Sequence, residues 1–160
     1  MKLSDGVEWG LHCCTLLALL PDDAALPASR LAEFHGVPAA YLAKHLQALS
    51  RAGIVEAVAG ARGGYRLARP AAEVTLLDVV EAVEGRTPAF RCTEIRQQGP
   101  LPASGKACRR PCGIARAMYA AEDAYRASLG AVTIADLAAG VQEDAGPRVF
   151  DRVRGWLADA

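Results

Sequence analysis

The sequence predicts a mainly α-helical chain with one small β-hairpin, laid out as a winged helix-turn-helix followed by a long helix suited to dimerisation. Three observations carry this. Two amphipathic segments, Ala28 to His35 and Pro38 to Ala52, are each closed by a glycine, Gly36 and Gly53. Two short runs, Ile54 to Val58 and Tyr65 to Leu67, flank the glycine-rich tip Ala59-Gly-Ala-Arg62-Gly63-Gly64. Further on, Ile114, Met118, Ala121, Tyr125 and Leu129 repeat at helical spacing among alanines that let a partner helix approach closely.

Taken in order, the first helix runs from Asp5 to about Leu20, with Ser4 or Asp5 as cap and a capping box between Asp5 and Glu8, until Pro21 breaks it. The third helix puts Leu42, Leu46 and Leu49 on its inner stripe and leaves Tyr41, Lys44, His45 and Gln47 on its other faces. In a winged module this helix enters the DNA major groove, so Tyr41, Lys44 and Gln47 are expected nearest the bases. Arg62, Gly63 and Tyr65 of the hairpin are expected to complete the DNA-binding surface. Thr75 and Asp78 form a capping box for a helix through Val83 that Gly85 ends. From Arg86 to Pro111 the chain reads as a long loop with four prolines, too many for regular structure. Pro111 suits the first turn of the long helix, which runs to about Leu129. Thr133 and Asp136 then cap a short helix stopping at Gly140, and Val149, Val153, Trp156 and Leu157 mark one face of a last helix after Pro147. The expected division is 1–85 for DNA binding, 86–112 as a functional loop, and 113–160 for dimerisation and the C-terminal helices.

Bulk composition narrows the class. The chain has 160 residues, 52% apolar and 22% charged, with zero formal net charge, which describes an ordinary globule with one core. Between Pro27 and Pro70 six basic residues (Arg30, Lys44, Arg51, Arg62, Arg66, Arg69) face only Glu33 and Glu56. A basic module on an otherwise acidic body is the footprint of phosphate binding, here double-stranded DNA. The longest early apolar run, Cys13 to Leu20, is too short to cross a bilayer and lacks the basic lead of a secretory signal, so no membrane association is expected. Five cysteines without a secretion signal point to a reducing cytoplasm with thiols free or metal-bound. No phosphate loop, nucleophile elbow or carboxylate pair signals an enzyme; Gly63-Gly64-Tyr65 belongs to a wing turn.

Metal-ligand candidates are individually plain. Glu8 and His12 stand four apart and share a helix face, a spacing that suits one metal centre but also describes a solvated surface pair. His35 reads as a helix-end histidine favoured there by the helix dipole. Cys92 lies in the irregular loop near basic residues. Cys108 and Cys112 resemble a metal knuckle, and with Cys92 they offer an alternative three-thiolate set for zinc or a thiol response. Cys13 and Cys14 are vicinal on an apolar helix and read as buried, inert thiols, or in a third class of reading as the pair of a small redox enzyme.

Met1-Lys-Leu-Ser4, Tyr41-Leu-Ala-Lys44, Leu49-Ser-Arg-Ala-Gly53, Gly63-Gly-Tyr-Arg-Leu-Ala-Arg69 and Val74-Thr-Leu-Leu-Asp-Val-Val-Glu-Ala-Val-Glu-Gly85 together resemble the winged-helix iron–sulfur transcriptional regulators, the family of IscR and NsrR. Cys92 and Thr133-Ile-Ala-Asp-Leu137 extend the likeness over most of the chain. The resemblance implies a homodimeric DNA-binding regulator whose iron–sulfur cluster lies near the dimer interface. The common pattern of three closely spaced cysteines is absent, because Cys108 and Cys112 come too late. Val7-Glu-Trp-Gly-Leu-His-Cys-Cys14, Leu31-Ala-Glu-Phe-His35 and Cys92-Thr-Glu-Ile-Arg-Gln97 instead resemble the RsrR branch. That likeness implies a 2Fe-2S cluster held by Glu8 and His12 of one chain with His35 and Cys92 of the partner. Trp9, next to Glu8, becomes the candidate for a redox-responsive side chain. One cysteinate and one carboxylate would neutralise the oxidised core, where four cysteinates leave it doubly negative, so the potential should lie above that of an all-cysteine cluster. Pro38-Ala-Ala40 also replaces the serine-containing cap usual at the recognition helix, and a phosphate contact goes with it.

Overall fold

The computed structural model describes residues 3–21, 24–60 and 63–158. Six α-helices and a two-stranded hairpin follow one another: α1 (Asp5–Leu17), α2 (Ala28–His35), α3 (Ala39–Arg51), β1 (Val55–Val58), β2 (Gly64–Leu67), α4 (Leu76–Glu84), α5 (Gly113–Gly130) and α6 (Ile134–Ala158). Short 3-10 turns lie at Ala71–Glu73, Ile95–Gln97 and Ala107–Arg109. The order is mainly α with one hairpin, as the patterning predicts.

The core forms where the apolar stripes of α1, α2 and α3 meet. Leu31, Leu42, Leu46 and Leu49 are fully buried with Cys13, Cys14, Leu26 and Ile54. Each such leucine is worth about 1.5–3 kcal/mol relative to exposure. The two vicinal cysteines are core residues as expected, and burial pushes the Cys13 thiol up to about 12. α2 ends as its glycine dictates: Gly36 takes the left-handed conformation (φ 65), and the Gly36 and Val37 N–H groups donate back to Glu33 and Ala32.

β1 pairs antiparallel with β2, Glu56 opposite Arg66 and Ala57 opposite Tyr65. The segment before α2 adds a third, one-residue rung: Tyr65 N–H donates to Leu26 O at 2.8 Å and Leu26 N–H to Tyr65 O at 3.0 Å. Gly64 is where this rung passes closest, and a Cβ there would stand 2.2 Å from the Leu26 carbonyl carbon. Glycine is therefore required by sterics as well as by the turn.

α4 starts in the expected capping box. The Thr75 hydroxyl accepts from the Asp78 N–H at 3.1 Å and the Asp78 carboxylate accepts from the Thr75 N–H at 2.9 Å. The C-terminal part joins the same body through a rung between Thr75 and Thr133 and through Ile134, which is fully buried in the core.

Four local expectations are corrected. The Asp5–Glu8 capping box does not form; Ser4 is the cap, without a side-chain bond to the helix, and its N–H donates to Glu84 at 2.9 Å instead. α1 ends at Leu17 and three further residues continue only as turn. α5 begins at Gly113 with Cys112 as cap, so Pro111 precedes the helix rather than opening it. Gly140 does not end a helix: it stays helical, and the break comes at Gly146 (φ 73, ψ 163), after which Pro147 starts the last segment. Val153 and Leu157 of that segment pack on the core, while the Val149 side chain lies outside those described.

Candidate functional site

The recognition helix presents the face its sequence predicts. Tyr41, Lys44 and Gln47 are all exposed, spaced three apart and opposite the buried leucines. His45 breaks the expectation of a polar outer position. It is buried, 8% exposed, because Gly6 of α1 leaves room for its ring; a Cβ on Gly6 would fall 2.2 Å from His45 Cε1. The only hint in the sequence was a glycine inside a helix, a costly residue that marks close approach.

Charge pairing trims the basic footprint. Arg66 bonds Glu56 across the hairpin at 2.7 Å, Arg69 bonds Asp78 at 3.1 Å, and Arg30 bonds Glu33 at 2.7 Å. Arg30 also lies 4.0 Å over the Trp156 ring, which Phe34 meets edge-on at 5.0 Å. Among the described residues Lys44 and Arg51 form no ion pair. Arg62, expected at the wing tip, lies outside the described residues. Gly63 closes the tip turn through its N–H to Gly60 O at 2.9 Å, with no room for a Cβ beside Val58 O. Tyr65 is half-buried and packs on the core, leaving part of its ring for a partner.

Glu8, Trp9, His12 and His35 line one cleft of about 200 Å³ with Val37 and Leu42. Helix periodicity places Glu8 and His12 one turn apart on α1, and the last turn of α2 brings His35 alongside. The His12 and His35 rings are 5.6 Å apart in the same chain. His35 Nε2 is buried with no hydrogen-bond partner, and burial, followed by the His12 charge, lowers the His35 pKa and favours the neutral imidazole. A neutral ring with a bare nitrogen is the form that ligates metal. Cys92 is elsewhere. It is half-buried, its Sγ donates to Glu94 at 3.4 Å, and it lines a wide depression with Phe90, Tyr119 and Arg126 that shares no residue with the cleft. Among the described residues no three His, Cys, Asp or Glu side chains close into a metal-holding group. Trp9 connects the cleft to the exposed face of α3, edge-on to Tyr41 at 5.1 Å and to the buried His45 at 6.1 Å.

A three-helix core whose third helix keeps one face exposed, followed by a hairpin wing, defines the class, a winged helix-turn-helix DNA-binding protein. A family model described as "Iron-dependent Transcriptional regulator" matches residues 3–140, and the chain belongs to that family, Rrf2. It is similar to YwgB of Bacillus subtilis (strain 168), named as an HTH-type transcriptional regulator, with 38% identity over 86 residues, 54% of this chain and 55% of that protein. Likewise named, YffB of Lactococcus lactis subsp. lactis (strain IL1403) is 31% identical over 138 residues, 86% of this chain and 87% of that one. The chain thus spans about half of the first relative and most of the second. Among solved structures, CymR, "the Global Cysteine Regulator of B. subtilis", superposes with TM-score 0.67 at 24% identity, covering 87% of this chain and 97% of that one. T. potens IscR gives TM-score 0.68 at 20% identity, covering 92% and 93%. These two likenesses establish the fold, and the named relatives are regulators rather than enzymes. No helix among the described residues is long and apolar enough to cross a membrane.

Proposed function

We propose that the chain is a redox-sensing homodimeric regulator that binds operator DNA under control of a 2Fe-2S cluster held by Glu8, His12, His35 and Cys92. The observation that carries this is the buried, unpartnered Nε2 of a His35 ring that stands 5.6 Å from the His12 ring in a cleft that Glu8 also lines. A carboxylate, two imidazoles and a thiolate form a mixed donor set that suits such a cluster. When bound, the cluster supplies a one-electron change at constant composition. The chain's own residues do the rest: the imidazoles keep the site low in negative charge, and Trp9 passes a change of packing in the cleft to Tyr41 on the recognition helix.

Because the His12 and His35 rings meet within one chain, the reading gives Glu8, His12 and His35 to one protomer and Cys92 to its partner, rather than dividing the histidines as the resemblance implied. The dimer rests on the unpartnered face of α5, where Ile114 is 73% and Met118 42% exposed.

The test is a visible spectrum with iron and acid-labile sulfide counts on anaerobically purified protein. Cys92→Ala should lose the chromophore, and the Cys108→Ala, Cys112→Ala double variant should keep it. The opposite pattern, or colourless protein holding zinc, assigns the site to the three thiols instead. A heterodimer of a His35→Ala chain with a Cys92→Ala chain should retain one intact site. Loss of both sites would return His35 to the partner.

A further inference from the structure

The inner side of α3 carries a polar atom that pairs with nothing. His45 is 8% exposed, and its Nε2 is buried without a hydrogen-bond partner. The other buried residues of this helix are Leu42, Leu46 and Leu49. A fourth leucine at position 45 would have about the same size and no polar atom to leave unpaired. Stability therefore does not explain a histidine here. α1 nevertheless makes room for this ring. A Cβ on Gly6 would stand 2.2, 2.5 and 2.8 Å from Cε1, Nδ1 and Nε2 of His45, and glycine inside a helix is itself unfavourable. Two choices that each weaken the fold thus stand opposite one another.

What the ring touches supplies the reason. His45, Trp9 and Tyr41 form a cluster in which each ring stands edge-on to the other two. Their centroids are 5.1 Å apart for Trp9 and Tyr41, 4.9 Å for Tyr41 and His45, and 6.1 Å for Trp9 and His45. Tyr41 lies one helical turn before His45 and is 47% exposed. It belongs to the exposed set that includes Lys44 and Gln47. An exposed side chain ordinarily loses its freedom when it binds, whereas a tyrosine already packed on two rings has little left to lose.

We propose that His45 is a positioning residue for DNA recognition: seated in the hollow at Gly6, it holds Tyr41 in the outward pose that meets a base edge. His45 is buried and acts through Tyr41 alone. The proposal does not rest on the cluster. The ordering cost spared for one such side chain corresponds to about twofold to tenfold in affinity. Non-specific binding runs through phosphate contacts, so the gain falls on the sequence-specific part.

The experiment uses the full-length protein and two duplexes of equal length. One is selected from a random-sequence pool by the wild type, and the other has an unrelated sequence. All proteins are compared at matched iron content, so the outcome is independent of which residues hold a metal. His45→Leu should unfold at the wild-type urea concentration or above it. It should bind the selected duplex about twofold to tenfold more weakly and the unrelated duplex as the wild type does. Tyr41→Ala should weaken binding to the selected duplex at least as much, and adding His45→Leu to it should change nothing further. A His45→Leu chain that unfolds earlier than the wild type would make His45 an ordinary core residue. Unchanged binding to the selected duplex, an equal loss on both duplexes, or additive effects of the two substitutions would show that His45 does not act through Tyr41. Each of these results overturns the proposal, and none of them bears on the cluster reading.

Discussion

At the scale of single residues, one pair shows how little space decides the DNA-binding fold. Gly6 and His45 fit because one has no side chain, and the ring then supports Trp9 and Tyr41, meeting Tyr41 at 4.9 Å. Gly6→Ala should cost about 1–3 kcal/mol by overpacking, read as a lower urea midpoint with unchanged slope. In a background of His45→Ala the same substitution should cost much less, and a double-mutant cycle measures the coupling. A cycle that closes without coupling would mean the two residues act apart. The leucine stripe of α3 and the thiols of α1 were legible in the sequence, because helical period and apolar character set burial directly. His45 was not, since its fate depends on which residue α1 places opposite, a tertiary fact. The reach of Arg96 to Glu94, Ala107 and Arg110 was hidden for the same reason: these partners lie 2, 11 and 14 positions away in irregular chain.

Among the elements, α4 is held by the clearest local device. Burial would raise the Asp78 pKa, but hydrogen bonds from the backbone and hydroxyl of Thr75 and the ion pair with Arg69 outweigh it, leaving the carboxyl below its ordinary value. A carboxyl depressed by folding stabilises the fold while ionised. Its contribution is therefore complete above the ordinary carboxylate range and is lost as pH falls through the lower folded value. Asp78→Asn should lower stability at neutral pH, with the gap to the wild type closing on acidification; a gap that persists in acid would point to packing alone. Thr75→Ala should cost about 1 kcal/mol by thermal or urea unfolding. On the recognition helix, Gln47→Ala should relax base preference in a panel of operator variants. Arg62→Ala should weaken binding to all of them and flatten the salt slope by about one unit. Unchanged binding in both would move the DNA contact off this face. Helix starts were legible wherever a side chain caps its own helix, as at Thr75. The start of α1 at Asp5 behind Ser4 was legible as well, and only its capping box was misread, because Ser4 serves Glu84 of another element; the start of α5 was misread because its cap, Cys112, is an unexpected residue.

For the molecule as a whole, Ile114 and Met118 of α5, with Ile95 and Leu101, are among the large apolar side chains left exposed in the single chain. If two copies meet there, Met118→Glu should shift sedimentation toward the monomer. DNA affinity should fall sharply with it, since two recognition helices about 34–36 Å apart then act singly. A dimer unaffected by that charge would place the interface elsewhere. The last helical segment has a different bearing on the molecule. The family likeness ends at residue 140, yet Trp156 reaches back to seal Phe34 and to cover the Arg30 guanidinium. Trimming the chain to residue 140 would thus bare the Phe34 ring and leave the Arg30 guanidinium held by Glu33 alone. The shortened protein should aggregate sooner on warming, so a laboratory working only with the trimmed form would mistake a lost cover for an intrinsic lack of stability.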